Sequence, residues 1–232
     1  MKPFAIKLSL LLLIIITKSS AQTINYTIDK LLFKDDFSTV LDTTKWAVEK
    51  LPDNNEKVFC SNGKLVLDTY GGATVWYKKE LYGNILISFK RKVIMQGGNN
   101  DRLSDFNQFW MATDTIKNQL FKRKATFNEY DSLSMYYVGF GGNYNTTTRF
   151  RKYNTLGEKK ILGEFTNAQH LLQSNKEYTI KIIILNGVTQ FLVNDELYFS
   201  YKDDSPLTHG YFAFRSTRSH QEIDEVSIYS LR

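Results

Sequence analysis

Arg149 and Arg151 stand two residues apart in "GFGGNYNTTTRFRKY" (139–153), a spacing that puts both guanidinium groups and the Tyr153 phenol on one face of a strand. Alternate residues on such a face lie roughly 7 Å apart, about the spacing of anionic groups on an extended acidic ligand. Cations placed there can neutralise a uronate carboxylate and so acidify the proton beside it. A base then removes that proton, and the sugar chain breaks by β-elimination. Arg149 and Arg151, with Arg215 and Arg218, supply the cations, and Tyr136, Tyr153 and His220 are the side chains that could act as base. The catalytic candidates are accordingly Arg149, Arg151, His220 and Tyr136. The competing reading is that arginines on a strand only solvate an outer face.

Two further stretches carry unusual polar groups. In "GGNNDRLSDFNQFWMATD" (97–114) a glycine-asparagine turn leads into Arg102, Asp105 and Asn107 before an apolar run. These residues either satisfy their own turn backbone or line a cleft in which Trp110 or Trp76 presents an apolar face to a sugar ring. In "YFAFRSTRSH" (211–220), Phe212 and Phe214 alternate with Arg215, and Arg218 and His220 follow. The expected substrate-binding set is Trp76, Arg102, Asp105, Asn107, Trp110, Asn145, Tyr153, Arg215 and Arg218. Asp101 and Asp105 are the only paired acids inside a motif, whereas glycoside hydrolysis needs two carboxyl groups roughly 5 to 9.5 Å apart. The three histidines are scattered without cysteine or paired-acid spacing, so no zinc site is expected.

The elements that must position these groups are short strands. Strand-like runs recur at 31–37, 64–68, 74–78, 85–95, 108–113, 132–140 and 147–153, then at 178–185, 189–193, 196–201, 211–215 and 222–229. Asn62-Gly63 and Asn194-Asp195 read as hairpin turns. Only 117–126 and 167–173 could hold short helical turns. Many antiparallel strands with no linker or repeat predict one all-β domain over 22–232, a β-sandwich or jelly roll whose terminal strands lie near each other.

Residues 1–21 read as an export signal: Lys2 and Lys7 precede a ten-residue apolar run, and Ser19-Ser20-Ala21 offers a cleavage site. The run is too short to span a bilayer comfortably, so no membrane partner is expected. Without this segment the charge falls from +6 to 27 basic against 24 acidic side chains, a mild +3 that argues against nucleic acid. The single cysteine, Cys60, rules out an intramolecular disulfide and reads as a small buried hydrophobe. Asp36 and Asp224 lack an Asp/Asn-rich ligand loop and make a weak case for structural calcium, so no cofactor is expected.

Four stretches carry a family resemblance: "GGATVWYKKEL" (71–81), "NDRLSDFNQFWMATD" (100–114), "YYVGFGGNYNTTTRFRKY" (136–153) and "GYFAFRSTRSH" (210–220). In this order the chain resembles secreted concanavalin A-like β-sandwich proteins of unknown function from bacterial polysaccharide-degrading systems. More distantly it is similar to sandwich proteins associated with pectin and rhamnogalacturonan use, and to laminarinase, lectin and 3-keto-glycoside hydrolase sandwiches. The resemblance implies a concanavalin A-like jelly roll, a secreted or periplasmic location and a polysaccharide or oligosaccharide partner, and it assigns no catalytic residues. Laminarinases of this fold carry an E-x-D-x-x-E strand, which is missing here. The resulting expectation is a lyase acting on a uronate-containing polysaccharide, pectic ones included, with a non-catalytic binding module or a glycoside hydrolase as alternatives.

Overall fold

The alternating residues Ile85, Ile87 and Phe89 and the series Ile180, Ile182 and Ile184 become neighbouring strands, with Ile87 opposite Ile182 and Phe89 opposite Ile180. A computed structural model describes residues 22–53 and 55–232 of the chain. The expected export segment at 1–21 lies outside the described residues. Among them no helix is long and apolar enough to cross a membrane.

Among the described residues sixteen strands follow in chain order. They are Ile28–Asp35 (β1), Trp46–Lys50 (β2), Lys57–Ser61 (β3), Lys64–Thr69 (β4), Ala73–Tyr77 (β5), Leu81–Tyr82 (β6), Ile85–Val93 (β7) and Phe106–Thr113 (β8). Then come Ser134–Gly141 (β9), Thr147–Tyr153 (β10), Lys159–Phe165 (β11), Glu177–Leu185 (β12), Val188–Val193 (β13), Glu196–Lys202 (β14), His209–Ser216 (β15) and Ser219–Leu231 (β16). One antiparallel sheet runs β14-β13-β12-β7-β16-β4-β3, with β1 pairing β16. The other runs β11-β10-β9-β8-β15-β5-β2, with β6 pairing β15. The two sheets form the expected jelly-roll sandwich. Asn62-Gly63 and Asn194-Asp195 do turn hairpins, β3–β4 and β13–β14, with φ positive at all four residues. The first and last strands pair, Phe33 opposite Ile228.

Strand parity decides what lies between the sheets. From the β8 sheet come Phe106, Trp110, Tyr136, Val138, Phe140, Phe150, Phe212 and Phe214. From the β7 sheet come Ile87, Phe89, Ile180, Ile182, Ile223 and Ile228. Each such side chain contributes about 1.5–3 kcal/mol by leaving water. One charge enters this layer. Arg91, on the inner face of β7, donates to the backbone oxygens of Asn107 at 2.7 Å and Arg215 at 3.1 Å, with Phe106 stacked 4.4 Å from its guanidinium. It thereby ties β7 to the paired strands β8 and β15. Burial pushes its pKa down to about 9.

A second cluster lies on the opposite, outer face of the β8 sheet. Residues 114–133, between β8 and β9, fold back over Trp76, Phe109, Met135 and Ala213 and bury Tyr130 and Leu133 there. A buried carboxylate anchors this cover. Glu49 of β2 accepts from Trp76 Nε1 at 2.8 Å, from Tyr130 Oη at 2.7 Å and from the Arg123 backbone N–H at 2.9 Å. Arg215 adds a bond from Nη1 to the Ala125 carbonyl at 3.0 Å.

Several local expectations change. The helical turn expected over 117–126 does not form, because Asn118, Phe121 and Ala125 have left-handed φ; a 3-10 turn follows at Phe127–Tyr130. In the second window only Ala168–His170 is helical. Strands β2, β6 and β11 went unread. Asp36 caps the Ser38 N–H and Asp224 pairs with Lys64, so each is engaged separately. Cys60 is half-buried, and burial pushes its thiol up to about 11.

Removing the Glu49 carboxylate leaves the Trp76 and Tyr130 donors buried without an acceptor. Glu49→Ala is expected to cost about 3 kcal/mol or more in a chemical-denaturation midpoint, and Glu49→Gln less, since one oxygen remains. An unchanged midpoint for Glu49→Ala would show that the cover does not depend on it.

Candidate functional site

The outer face of the β8 sheet carries one row of residues in direct register across seven strands. Glu164 pairs with Arg149, Arg149 with Gly139, Gly139 with Asn107, Asn107 with Arg215, Arg215 with Thr74, and Thr74 with Glu49. The neighbouring row runs Arg151, Tyr137, Phe109, Ala213, Trp76 and Ala47. The cover lies over the β15–β5–β2 end of both rows and reaches Phe109 of β8 in the second; it leaves the β8–β9–β10 end of the first row open. There a cleft of about 310 Å³ opens. Its floor is Asn107, Tyr137 and Gly139, Arg149 and Arg151 stand on one side, and Phe127, Arg102, Asp105, Thr217 and the 142–147 turn form the walls.

Gly139 is required for this floor. A Cβ there would come within 2.6 Å of Tyr137 Oη and 3.0 Å of Asn107 Oδ1. Those two atoms are themselves bonded, Tyr137 Oη donating to Asn107 Oδ1 at 3.0 Å. Burial raises the Tyr137 pKa despite the nearby Arg151, Arg215 and Arg149, so the phenol stays protonated and acts as a hydrogen-bond donor.

The cations differ in how they are held. Arg102 forms an ion pair with Asp105, donates from Nε to the Arg218 carbonyl at 2.8 Å and lies 5.0 Å from the Tyr144 ring. Burial lowers its pKa. Arg149 is paired with Glu164. Arg151 lies 5.5 Å from the Tyr137 ring and has no carboxylate partner among the described residues. It is the cation of this cleft whose charge the protein leaves unanswered.

Of the residues expected from sequence, the cleft gathers Arg102, Asp105, Asn107, Arg149 and Arg151. The others are elsewhere. Tyr136 and Trp110 have the opposite strand parity and point between the sheets. Trp110 Nε1 donates to Thr189 Oγ1 at 3.1 Å. Tyr136 Oη donates to Asp203 at 2.5 Å, beside Lys152 at 2.7 Å. Trp76, Tyr153 and Arg215 do lie on the outer face but under the cover, each at most 1% exposed. His220 leaves on the far side of β16, because Gln221 and Ile223 take the inward positions there, and it contacts Asp101 at 3.2 Å. Arg218 sits over the Tyr70 ring and donates to the Asn99 carbonyl, outside the cleft lining. Asn145 exchanges two bonds with the Leu172 backbone, at 3.0 and 2.8 Å, and so fixes the cleft turn from behind.

Sequence reasoning passed over Tyr137, Gly139, Asn143, Tyr144, Phe127 and Thr217. Tyr137 was within reach. If Phe150 faces the core, Arg151 faces out, and the residue paired with Arg151 shares its face.

Comparison with known proteins places the architecture in a wide group. The model of a family described as "Domain of unknown function (DUF6250)" matches residues 67–226. No curated protein matches the sequence. A protein of unknown function with a galectin-like fold from Bacillus subtilis superposes with a TM-score of 0.72 at 18% identity, covering 89% of this chain and 99% of that one. An endo-β-1,3-glucanase from Pyrococcus furiosus gives 0.61 at 12% identity, covering 88% and 95%. The carbohydrate-binding module CBM66 from Bacillus subtilis gives 0.54 at 11%, covering 80% and 96%. At these identities the likeness is one of fold.

The placement of Tyr136 carries a pH signature. Burial raises the Asp203 pKa, but the bonds from Lys152, Tyr136 and the Ser205 N–H outweigh it, and the net shift is downward from 3.8. The stability this adds is present above about pH 4 and is lost as the pH falls through the lower folded value. Asp203→Asn should therefore be less stable than wild type near neutrality, with the difference shrinking at the acid end of a denaturation series. A difference that stays constant with pH would exclude this role.

Proposed function

We propose, from the premise that this chain belongs to the DUF6250 family, that it is a carbohydrate-active protein whose open cleft receives an anionic segment of a polysaccharide. The observation that carries this reading is Arg151, a guanidinium that lines the cleft with no carboxylate partner among the described residues. A planar guanidinium binds a carboxylate through two parallel N–H bonds, and a uronate ring supplies that group among hydroxyls. Asn107, Asn143, Thr147 and Thr217 offer hydrogen bonds to those hydroxyls, and Tyr144 and Phe127 offer ring faces. The sandwich neighbours named for glucan cleavage and carbohydrate binding fit a glycan partner.

Lyase-type β-elimination is the finer reading. Arg151 would neutralise the substrate carboxylate and so acidify the C5 proton, while Tyr137, its O–H given to Asn107, holds the floor beneath. Tyr144, at 74% exposure, is the phenol at the mouth; as phenolate it would take the C5 proton as the C4–C5 double bond forms and return that proton to the glycosidic oxygen as the C4–O bond breaks. Hydrolysis is the second reading, favoured by the likeness to endo-β-1,3-glucanase. Among the described residues the cleft lining holds one carboxylate, Asp105, and the second would have to be Glu164, which meets the cleft only through Arg149. Each is held by an arginine, and they stand three strand spacings apart, roughly 14 Å along the sheet. That exceeds the roughly 5 to 9.5 Å of two-carboxylate hydrolysis.

Arg151→Ala is expected to weaken binding to polygalacturonate about tenfold to a hundredfold, the worth of a charge-assisted pair. The melting temperature should hardly move, because no ion pair is lost and only the contact with the Tyr137 ring goes. Isothermal titration against polygalacturonate and neutral laminarin checks this. Equal affinity of wild type and variant for polygalacturonate would refute the anionic reading. Incubation then separates the chemistries: unsaturated-uronate absorbance with new reducing ends means elimination, and reducing ends alone mean hydrolysis.

A further inference from the structure

We infer that this cleft accepts the end of a glycan chain, about one or two sugar units, and not an interior stretch of polymer. The inference rests on the carbohydrate reading above and adds how the substrate enters.

The row that crosses the β8 sheet is continuous for seven strands, from Glu164 to Glu49, and an uncovered face of that width would form a trough open at both ends. Here it is obstructed. Over β15 and β5 the cover places the Ala125 carbonyl on Arg215 Nη1 at 3.0 Å and the Phe127 and Tyr130 rings at 5.2 and 4.8 Å from the same guanidinium. Arg215 and Thr74 are 0% exposed as a result. Gly72 reports how close the cover lies, since a Cβ there would stand 2.8 Å from the Ala125 carbonyl. The obstruction is built like a core. Tyr130, Leu133 and Ala125 are 0% exposed, and Glu49 holds Tyr130 and the Arg123 backbone through its two oxygens.

Along the strands the way is also closed at one end. The turn at Gly142–Asn145 and Thr147 stands at the head of β10, where Asn145 is bonded to Leu172 in both directions. Arg102, paired with Asp105 and donating to the Arg218 carbonyl, stands across from it. A sugar chain crossing the strands meets Phe127. One running along them meets the 142–147 turn or the Arg102 wall. The volume agrees: about 310 Å³ is at the lower limit of small-ligand sites, which begin at roughly 300 Å³. Arg151 at the side of this space then meets the charged group of a terminal unit.

The test uses the full wild-type protein and two oligosaccharide series, oligogalacturonides and laminari-oligosaccharides of one to six units, with titration calorimetry on each. On whichever series binds, affinity should rise from one unit to two and then stay level within about twofold. At equal mass, a polymer of that sugar shortened to give tenfold more chain ends should compete about tenfold better. Affinity that keeps climbing through four to six units, or competition that follows polymer mass and ignores the number of ends, overturns the inference. Binding confined to the laminari series would defeat the anionic reading, while the length dependence would still decide between an end and an interior stretch.

Discussion

A carboxylate buried on what would otherwise be the wet side of a sheet sets the character of this molecule. Glu49 lies on the face of the β8 sheet turned away from the core, yet it is 2% exposed and satisfies a tryptophan, a tyrosine and a backbone amide from two segments distant in sequence. An uncompensated charge in such a place is costly, so the cover must stay docked wherever Glu49 is ionised. Arg215, under the same cover, contributes a compensating positive charge. Its own pKa is lowered by burial while Tyr130, Tyr137 and Glu49 pull it back up. Docking the cover divides one face into a sealed half that behaves as core and an open half that holds the cleft.

Arg91 works from the opposite side of the sheet. Its two bonds end on the carbonyls of Asn107 and Arg215, residues that pair across β8 and β15 at the boundary between the sealed and open halves. The boundary is therefore gripped from both sides, by Arg91 below and by the cover above. The polar groups that face the cleft descend from strands whose other faces carry Phe106, Val138, Phe140 and Phe150, so the floor moves only if the sandwich core moves.

The fold class was legible because strand period, turn chemistry and the absence of helix signals agree along the whole chain. Hairpins at Asn62-Gly63 and Asn194-Asp195 follow from residues read singly, whereas the nearness of the terminal strands, which pair here, is expected only from the general habit of sandwiches. The site was half legible. Arg149 and Arg151 were found because an alternating pattern with one aromatic facing inward fixes the other face, and Arg102, Asp105 and Asn107 because they are polar groups that follow a glycine-asparagine turn. Tyr136 and Trp110 were misplaced by one residue of parity, which on a strand reverses the side of the sheet. A different obstacle hid Trp76, Tyr153 and Arg215: their faces are right, but a segment without periodicity folds over them. No local pattern in 114–133 announces that it will. The positive φ values at Asn118, Phe121 and Ala125 that shape it fall on residues of three unlike types.

The turn behind the cleft has a consequence for the energetics of occupancy. Asn143, Tyr144 and Asn145 take left-handed conformations in succession, with φ of 52°, 57° and 59°, and Tyr144 is a bulky side chain for that region. The bonds of Asn145 to Leu172 and of Thr146 to the Asn143 carbonyl hold the arrangement. Folding has thus already met the conformational entropy and torsional strain of this wall. A guest finds the backbone beneath Tyr144 preorganised, and the ordering penalty of association falls on the ring's own rotation and on the guest.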